Sequence, residues 1–375
     1  MFDKQTITDT KVRGQTVLVR VDYNVPMQDG KVTDDLRIRA SFPTLELLRK
    51  KGARRTILIS HLGRPGGKKV PELSLAPVAD KLKELLPDEK IFFVSDVSGP
   101  DVEEAVEKLP VGGILLLENL RFYPGEEANS SEFAREIVES THADIFVQDG
   151  FAVVHRAHAS TSAITSELPS VAGLLLEKEV KSLEKIVTAP AHPFLVVIGG
   201  AKVSDKQPLI DKFSKIADKI VVGGKIAADG YTSPLDTIYV AEDFLEASEE
   251  NLLDKNGNFD EKRRDLVGQK LDMGPKSLDE VVSMVKNAKT VLWNGLLGAA
   301  EIPAFAGASS ELAMTLGESK NLCSVVCGGD TSGFVENLQK THPDLHFSLI
   351  STGGGAALEL LCGEPMPGID SLDDK

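Results

Sequence analysis

Residues 145–160 read IFVQDGFAVVHRAHAS: a short apolar run that passes directly into a turn carrying His155, Arg156 and His158. Three earlier stretches share this build, VLVRVDYN (17–24), TILISHLGRP (56–65) and ILLLENLRFYPGEE (114–127). Each is apolar without alternation, the pattern of a strand buried on both faces, as in a parallel sheet. Between them RIRASFPTLELLRKKG (37–52), LAPVADKLKELL (75–86), DVEEAVEKL (101–109) and SSEFAREIVEST (130–141) carry apolar residues at helical spacing. In the last of these Ser130 reads as an N-cap, with Phe133 and Ile137 on one face.

The second half continues the alternation with FLVVIGG (194–200), KIVVGG (219–224), TVLWNG (290–295), CSVVCGG (323–329) and FSLIST (347–352). Strand–helix alternation predicts an α/β fold of βαβ units with parallel sheets, in two lobes, since 375 residues exceed one ordinary core. The expected division is a lobe over 1–168, an interdomain helix over 169–185 starting at Pro169, and a lobe over 186–357. No disordered linker separates the lobes, so a stiff join with local hinges is expected.

The net charge of -15 is spread over both lobes, which argues against a nucleic-acid binder. No apolar run reaches membrane-spanning length and the start MFDKQTITDT does not resemble a signal peptide, so a cytoplasmic protein with no membrane partner is expected. Cys323, Cys327 and Cys362 are an odd set among apolar neighbours and read as buried, reduced thiols. Arginine is distributed unevenly: eleven precede Pro169, and only Arg263 and Arg264 follow it.

In open α/β sheets, ligands bind beyond the carboxyl ends of the strands, which brings Asp22, His61, Arg64, Arg121, His155 and Arg156 toward one crevice. Arginine forks there suit a small phosphate or carboxylate. In the second lobe FLVVIGGAKVSDK (194–206) combines a glycine turn with Lys202 and Lys206, which a helix beginning near Val203 would set one turn apart. Its alternative is an ordinary tight turn with solvated lysines. VVCGGDTSGFVENL (325–338) places Asp330 and Thr331 at a turn, suited to Mg²⁺ and phosphate or to plain helix capping. FSLISTGGGAALELL (347–361) opens a further helix N-terminus to an anion, or marks a close helix contact.

These motifs, in order along the chain with RIRASFP, LPSVAGLLLEKEV, DMGPKS, GGDTSG and STGGGAALELLCGEPMPGI, resemble the signature set of the phosphoglycerate kinase family. The resemblance covers essentially the whole chain. It implies two Rossmann-like, three-layer α/β/α lobes, the first binding 3-phosphoglycerate or 1,3-bisphosphoglycerate and the second Mg-ATP or Mg-ADP, and that the tail 358–375 returns to the first lobe. It implies triose contacts at Asp22, Asn24, Arg37, His61, Arg64, Arg121 and Arg156. Nucleotide contacts are implied at Gly200, Ala201, Lys202, Lys206, Gly223, Gly274, Asn294, Glu301, Gly328, Gly329, Asp330 and Thr331, with Asp330 the Mg²⁺ ligand. Arg37, Lys202, Gly354 and Gly355 are the implied catalytic groups, and a monomer is expected.

The implied reaction is reversible phosphoryl transfer between 1,3-bisphosphoglycerate and ADP. Its nucleophiles are already ionised, which accounts for the lack of a convincing Ser-His-Asp or Cys-His arrangement. Transfer between ligands on different lobes implies closure. Departures from the family pattern gather in WNGLLGAAE (293–301), with Leu296 and Ala300, and in GGK, with Lys225, around the base and ribose pocket. Two other readings remain open: an ATP-dependent kinase for another small carboxylate, and a non-catalytic binding protein of the same fold.

Overall fold

The computed structural model describes residues 2–254 and 257–375. The chain forms two compact units, Met1–Lys181 with Glu364–Lys375, and Ser182–Gly363. In the first, six strands lie in the order Ile91–Phe93, Gly113–Leu116, Arg55–Ile59, Thr16–Arg20, Ile145–Gln148, Ser170–Ala172, all parallel. Thr16–Arg20 is buried along its whole length because it has strands on both edges and helices on both faces, and this explains its unbroken apolar run.

The second unit repeats the plan with Ile238–Val240, Lys219–Val222, Phe194–Ile198, Thr290–Asn294, Cys323–Cys327 and Leu349–Ile350. Phe194–Ile198 is central and pairs in parallel with Lys219–Val222 and Thr290–Asn294. Both are therefore parallel-sheet α/β domains. Trp293, fully buried, anchors a core that includes Leu312 and Val326.

Several local expectations hold in detail. Ser130 caps the helix Ser131–Thr141 by accepting from the Phe133 amide, and Phe133 and Ile137 are buried. Others need correction. Pro169 does not start a helix: Ser170–Ala172 is a sixth strand, and the helix runs Leu174–Thr188. The strand wins because Ser170 finds an acceptor in Asp373 at 2.9 Å and the Gly173 amide pairs with Gln148. The division between the units lies inside this helix, at Lys181, and the first unit resumes at Glu364 after the helix Gly355–Cys362.

The stretch 37–52 is two helices, Leu36–Ala40 and Phe42–Lys50, broken where the Ser41 hydroxyl bonds back to the Ile38 carbonyl. Val203–Asp205 is a 3₁₀ turn and the helix begins only at Gln207, with Pro208 in its first turn. Of the cysteines only Cys327 is buried; Cys323 and Cys362 are half-buried, and none forms a disulfide. Among the described residues no helix is long and apolar enough to cross a membrane.

Candidate active site

In the first unit the strand ends gather charge around His61. Asp22, two residues past Thr16–Arg20, pairs with Arg37 at 2.5 Å, and Arg37 also donates to the Asn24 carbonyl at 3.3 Å. The Asn24 side chain accepts from the Gly63 amide at 2.9 Å, and Arg121 donates to the Gly63 carbonyl at 2.8 Å. Asp22, Asn24, Arg37 and Arg121 thus form one connected set around the 61–64 turn.

His61 is buried, and its imidazole is held well below its usual range by burial and then by Arg20, Arg121, Arg37 and His158. His158 is pushed down to about 4 by burial and by Arg121, Arg20 and Arg156. Burial first, and then Arg20 and Arg121, disfavour a proton on both histidines, and the positive charge at these strand ends suits a small anion. Arg156 enters this field and hydrogen-bonds His155 at 3.1 Å, whereas the Arg64 side chain is exposed on its turn. Among the described residues no group of three or more histidine, cysteine or carboxylate side chains that could hold a metal ion gathers.

Sequence reasoning missed Arg20 and Glu126. Arg20 is fully buried; its Nε donates to the Ser160 hydroxyl at 2.8 Å, and Nη1 reaches the Val21 carbonyl. Ser160 in turn gives its amide and hydroxyl to the fully buried Glu126 at 3.0 and 2.7 Å. The available signal was a lone arginine inside an apolar strand, which has to find a partner when buried.

The second unit holds a cavity of about 860 Å³ at the carboxyl ends of its strands. Gly200, Ala201, Lys202 and Lys206 line it from the first turn, and Gly328, Gly329, Asp330 and Thr331 from another. Gly354, Gly355 and Glu301 line it too, whereas Asn294, Gly223 and Gly274 do not. Two helices, Gly329–Thr341 and Gly355–Cys362, begin at its wall, so the positive ends of both helix dipoles lie at the cavity. Lys202 is exposed, while Lys206 is half-buried and donates to Asn294 Oδ1. Burial lowers the Lys206 ammonium, and Asp205 and Asp330 oppose that shift.

Gly199 and Gly295 let two loops touch: a Cβ on Gly199 would lie 2.2 Å from the Leu296 carbonyl oxygen, and Gly295 has φ 99°. Asn294 sits beneath this contact, fully buried, and Thr331 accepts from the Gly295 amide at 2.9 Å. Gly223 and Gly274 do not line the cavity. A Cβ on Gly223 would meet Met273, and one on Gly274 would strike the Asp243 carboxylate, so close packing is their observed role. Lys225, Gln269, Lys270, Leu271 and Leu296 also line the cavity; of these only Lys225 and Leu296 were singled out from sequence.

The sequence profile of the family described as Phosphoglycerate kinase matches residues 7–233 and 228–364. The chain belongs to the phosphoglycerate kinase family. It is similar to phosphoglycerate kinase from Coxiella burnetii, 31% identical over 98% of both chains with a TM-score of 0.77. It is also similar to Phosphoglycerate Kinase from Pyrococcus horikoshii OT3, 26% identical over 98% of both chains with a TM-score of 0.82. Family membership and these neighbours support a phosphoglycerate kinase activity in general terms.

The donor set at Asp330 fits Mg²⁺. A single exposed carboxylate in the first turn of a helix, at the wall of a cavity that also carries Lys202 and Lys206, suits a hard cation held mostly by water and phosphate oxygens.

Proposed function

We propose that the chain catalyses reversible phosphoryl transfer between 1,3-bisphosphoglycerate and ADP, giving 3-phosphoglycerate and ATP. The observation that carries this reading is a pairing of sites in a member of this family. One unit gathers arginines around a buried histidine; the other has a cavity at two helix N-termini, lined by Lys202, Lys206, Lys225 and Lys270 with Asp205, Glu301 and Asp330.

In this reading His61, Arg64, Arg121 and Arg156 hold the unreactive phosphate of the triose. Asp22 and Asn24 orient its hydroxyl and carboxylate, and Arg37 leaves Asp22 to meet the transferring group. Lys206, Thr331 and the amides from Gly328 and Gly329 hold the nucleotide phosphates, with Glu301 at the ribose. Lys202 and the helix start at Gly354 and Gly355 face the transferring group. When bound at Asp330, Mg²⁺ supplies positive charge to the nucleotide phosphates.

Neither direction needs a general base, because a carboxylate or a phosphate oxygen is the nucleophile. The residues contribute alignment and cancellation of negative charge on the equatorial oxygens, the two terms that dominate phosphoryl transfer. A coupled assay with 3-phosphoglycerate, ATP and Mg²⁺ tests the reading. Turnover that requires all three supports it, and no turnover by folded protein rejects it.

A further inference from the structure

His61 and Arg20 meet in a way that sets the chemistry of the imidazole. Arg20 Nη2 lies 3.1 Å from His61 Nδ1, and both residues are buried. A guanidinium has only donors, so the ring nitrogen facing it has to be the acceptor. In a neutral imidazole the one proton is then on Nε2. We propose that Arg20 is a positioning residue for the triose site: it holds His61 in the Nε2–H tautomer, so the ring meets the substrate anion as a neutral donor.

Arg20 is suited to this task because it cannot turn away. Its Nε is held by Ser160, its Nη1 by the Val21 carbonyl, and Ser160 is itself fixed by both oxygens of Glu126. Having no exposed surface, Arg20 acts on the substrate through His61.

Protonating Nδ1 would set an N–H against a guanidinium N–H. The groups facing the ring oppose it further: Arg37 from the helix Leu36–Ala40, Arg121 from the turn Leu120–Phe122, and His158 from the loop after Val153. The carboxylates Glu126 and Asp22 support the charge of Arg20 against burial. A histidine of ordinary pKa would change charge as the pH falls toward 6, and anion affinity would change with it. This one stays neutral, and its affinity contribution stays constant.

The inference rests on the proposed role of His61 at the triose phosphate, and its test separates the two. Imidazole ¹⁵N spectra of the intact, ligand-free protein between about pH 5.5 and about pH 8 should show His61 with an unprotonated Nδ1 and a protonated Nε2 throughout. A protonated Nδ1 anywhere in that range overturns the proposal, whatever the protein catalyses.

Arg20→Met removes the donor, and Arg20→Lys keeps one. In Arg20→Met the ratio of its 3-phosphoglycerate Kd to the wild-type value should fall about tenfold as the pH drops across that range, because His61 then gains a proton and a charge-assisted bond. Arg20→Lys should keep the ratio flat. A flat ratio in a folded Arg20→Met overturns the positioning role. Should that variant not fold, the wild-type spectra and Arg20→Lys decide alone. The expected tautomer in a wild type without turnover would reject the phosphoglycerate reaction and leave the tautomer assignment standing.

Discussion

The Arg37 guanidinium is 2.5 Å from the Asp22 carboxylate, on a five-residue helix that exposes about a quarter of the arginine side chain. In the proposed mechanism this pair is the resting position of Arg37. Arg37→Ala, and likewise Lys202→Ala in the other unit, should lower kcat about 100-fold, close to 3 kcal/mol, while changing the Kd of either substrate little. Steady-state kinetics with calorimetric affinities check this; losses confined to KM would reject the assigned roles.

The arginines assigned to the triose should separate binding from stability. Arg64→Ala, Arg121→Ala and Arg156→Ala are each expected to weaken 3-phosphoglycerate binding by roughly 2 kcal/mol and leave nucleotide binding unchanged. Arg64 is exposed, so its loss should move stability by less than about 0.5 kcal/mol, whereas buried Arg121 also supports Gly63 and its removal should lower Tm. Calorimetry with each ligand, together with thermal melts, distinguishes the three.

Asp149 provides a stability test with a defined sign. Burial raises its carboxyl to about 7, although the Leu175 and Leu176 amides at the start of the helix Leu174–Thr188 pull the other way. A folded pKa above the unfolded one gives stability that is complete below about pH 4 and is lost as the pH rises through 7. Asp149→Asn retains an acceptor for the Leu175 amide without the buried charge. It should therefore raise Tm at about pH 8 and have little effect near pH 5; an equal change at both would place the carboxyl's titration elsewhere.

The cavity of the second unit should hold nucleotide phosphates more firmly than the base. Its wall contains Leu296 and Lys225, which is exposed and paired with Asp229 at 2.9 Å; Ala300, singled out from the sequence, is not among the lining residues, whereas its neighbours Ala299 and Glu301 are. GTP or ITP should support turnover within about tenfold of ATP in kcat/KM, since a loosely packed base contact discriminates by only ~1 to 3 kcal/mol. Repeating the comparison with Lys225→Gly shows whether the ammonium contributes. Thousandfold selectivity for ATP in both proteins would contradict this picture.

Much of this molecule can be read locally. A central parallel strand is buried on both faces, so runs such as TVLVR and FLVVI declare themselves without reference to partners. Turns at the strand ends carry Asp22, His61, Arg121, Lys202 and Asp330 in short motifs, and the Ser130 cap depends on residues three apart. What remained hidden depends on pairs distant in sequence. Ser170–Ala172 becomes a strand because Asp373, 203 residues away, accepts its first amide. Gly274 packs so closely on Asp243 that a Cβ there would strike its carboxylate. The charge and tautomer of His61 follow from Arg20, 41 residues earlier, and from arginines on other elements. Propensity and periodicity are properties of neighbouring residues, so they are written in the sequence; burial and electrostatic surroundings exist only once the chain has packed.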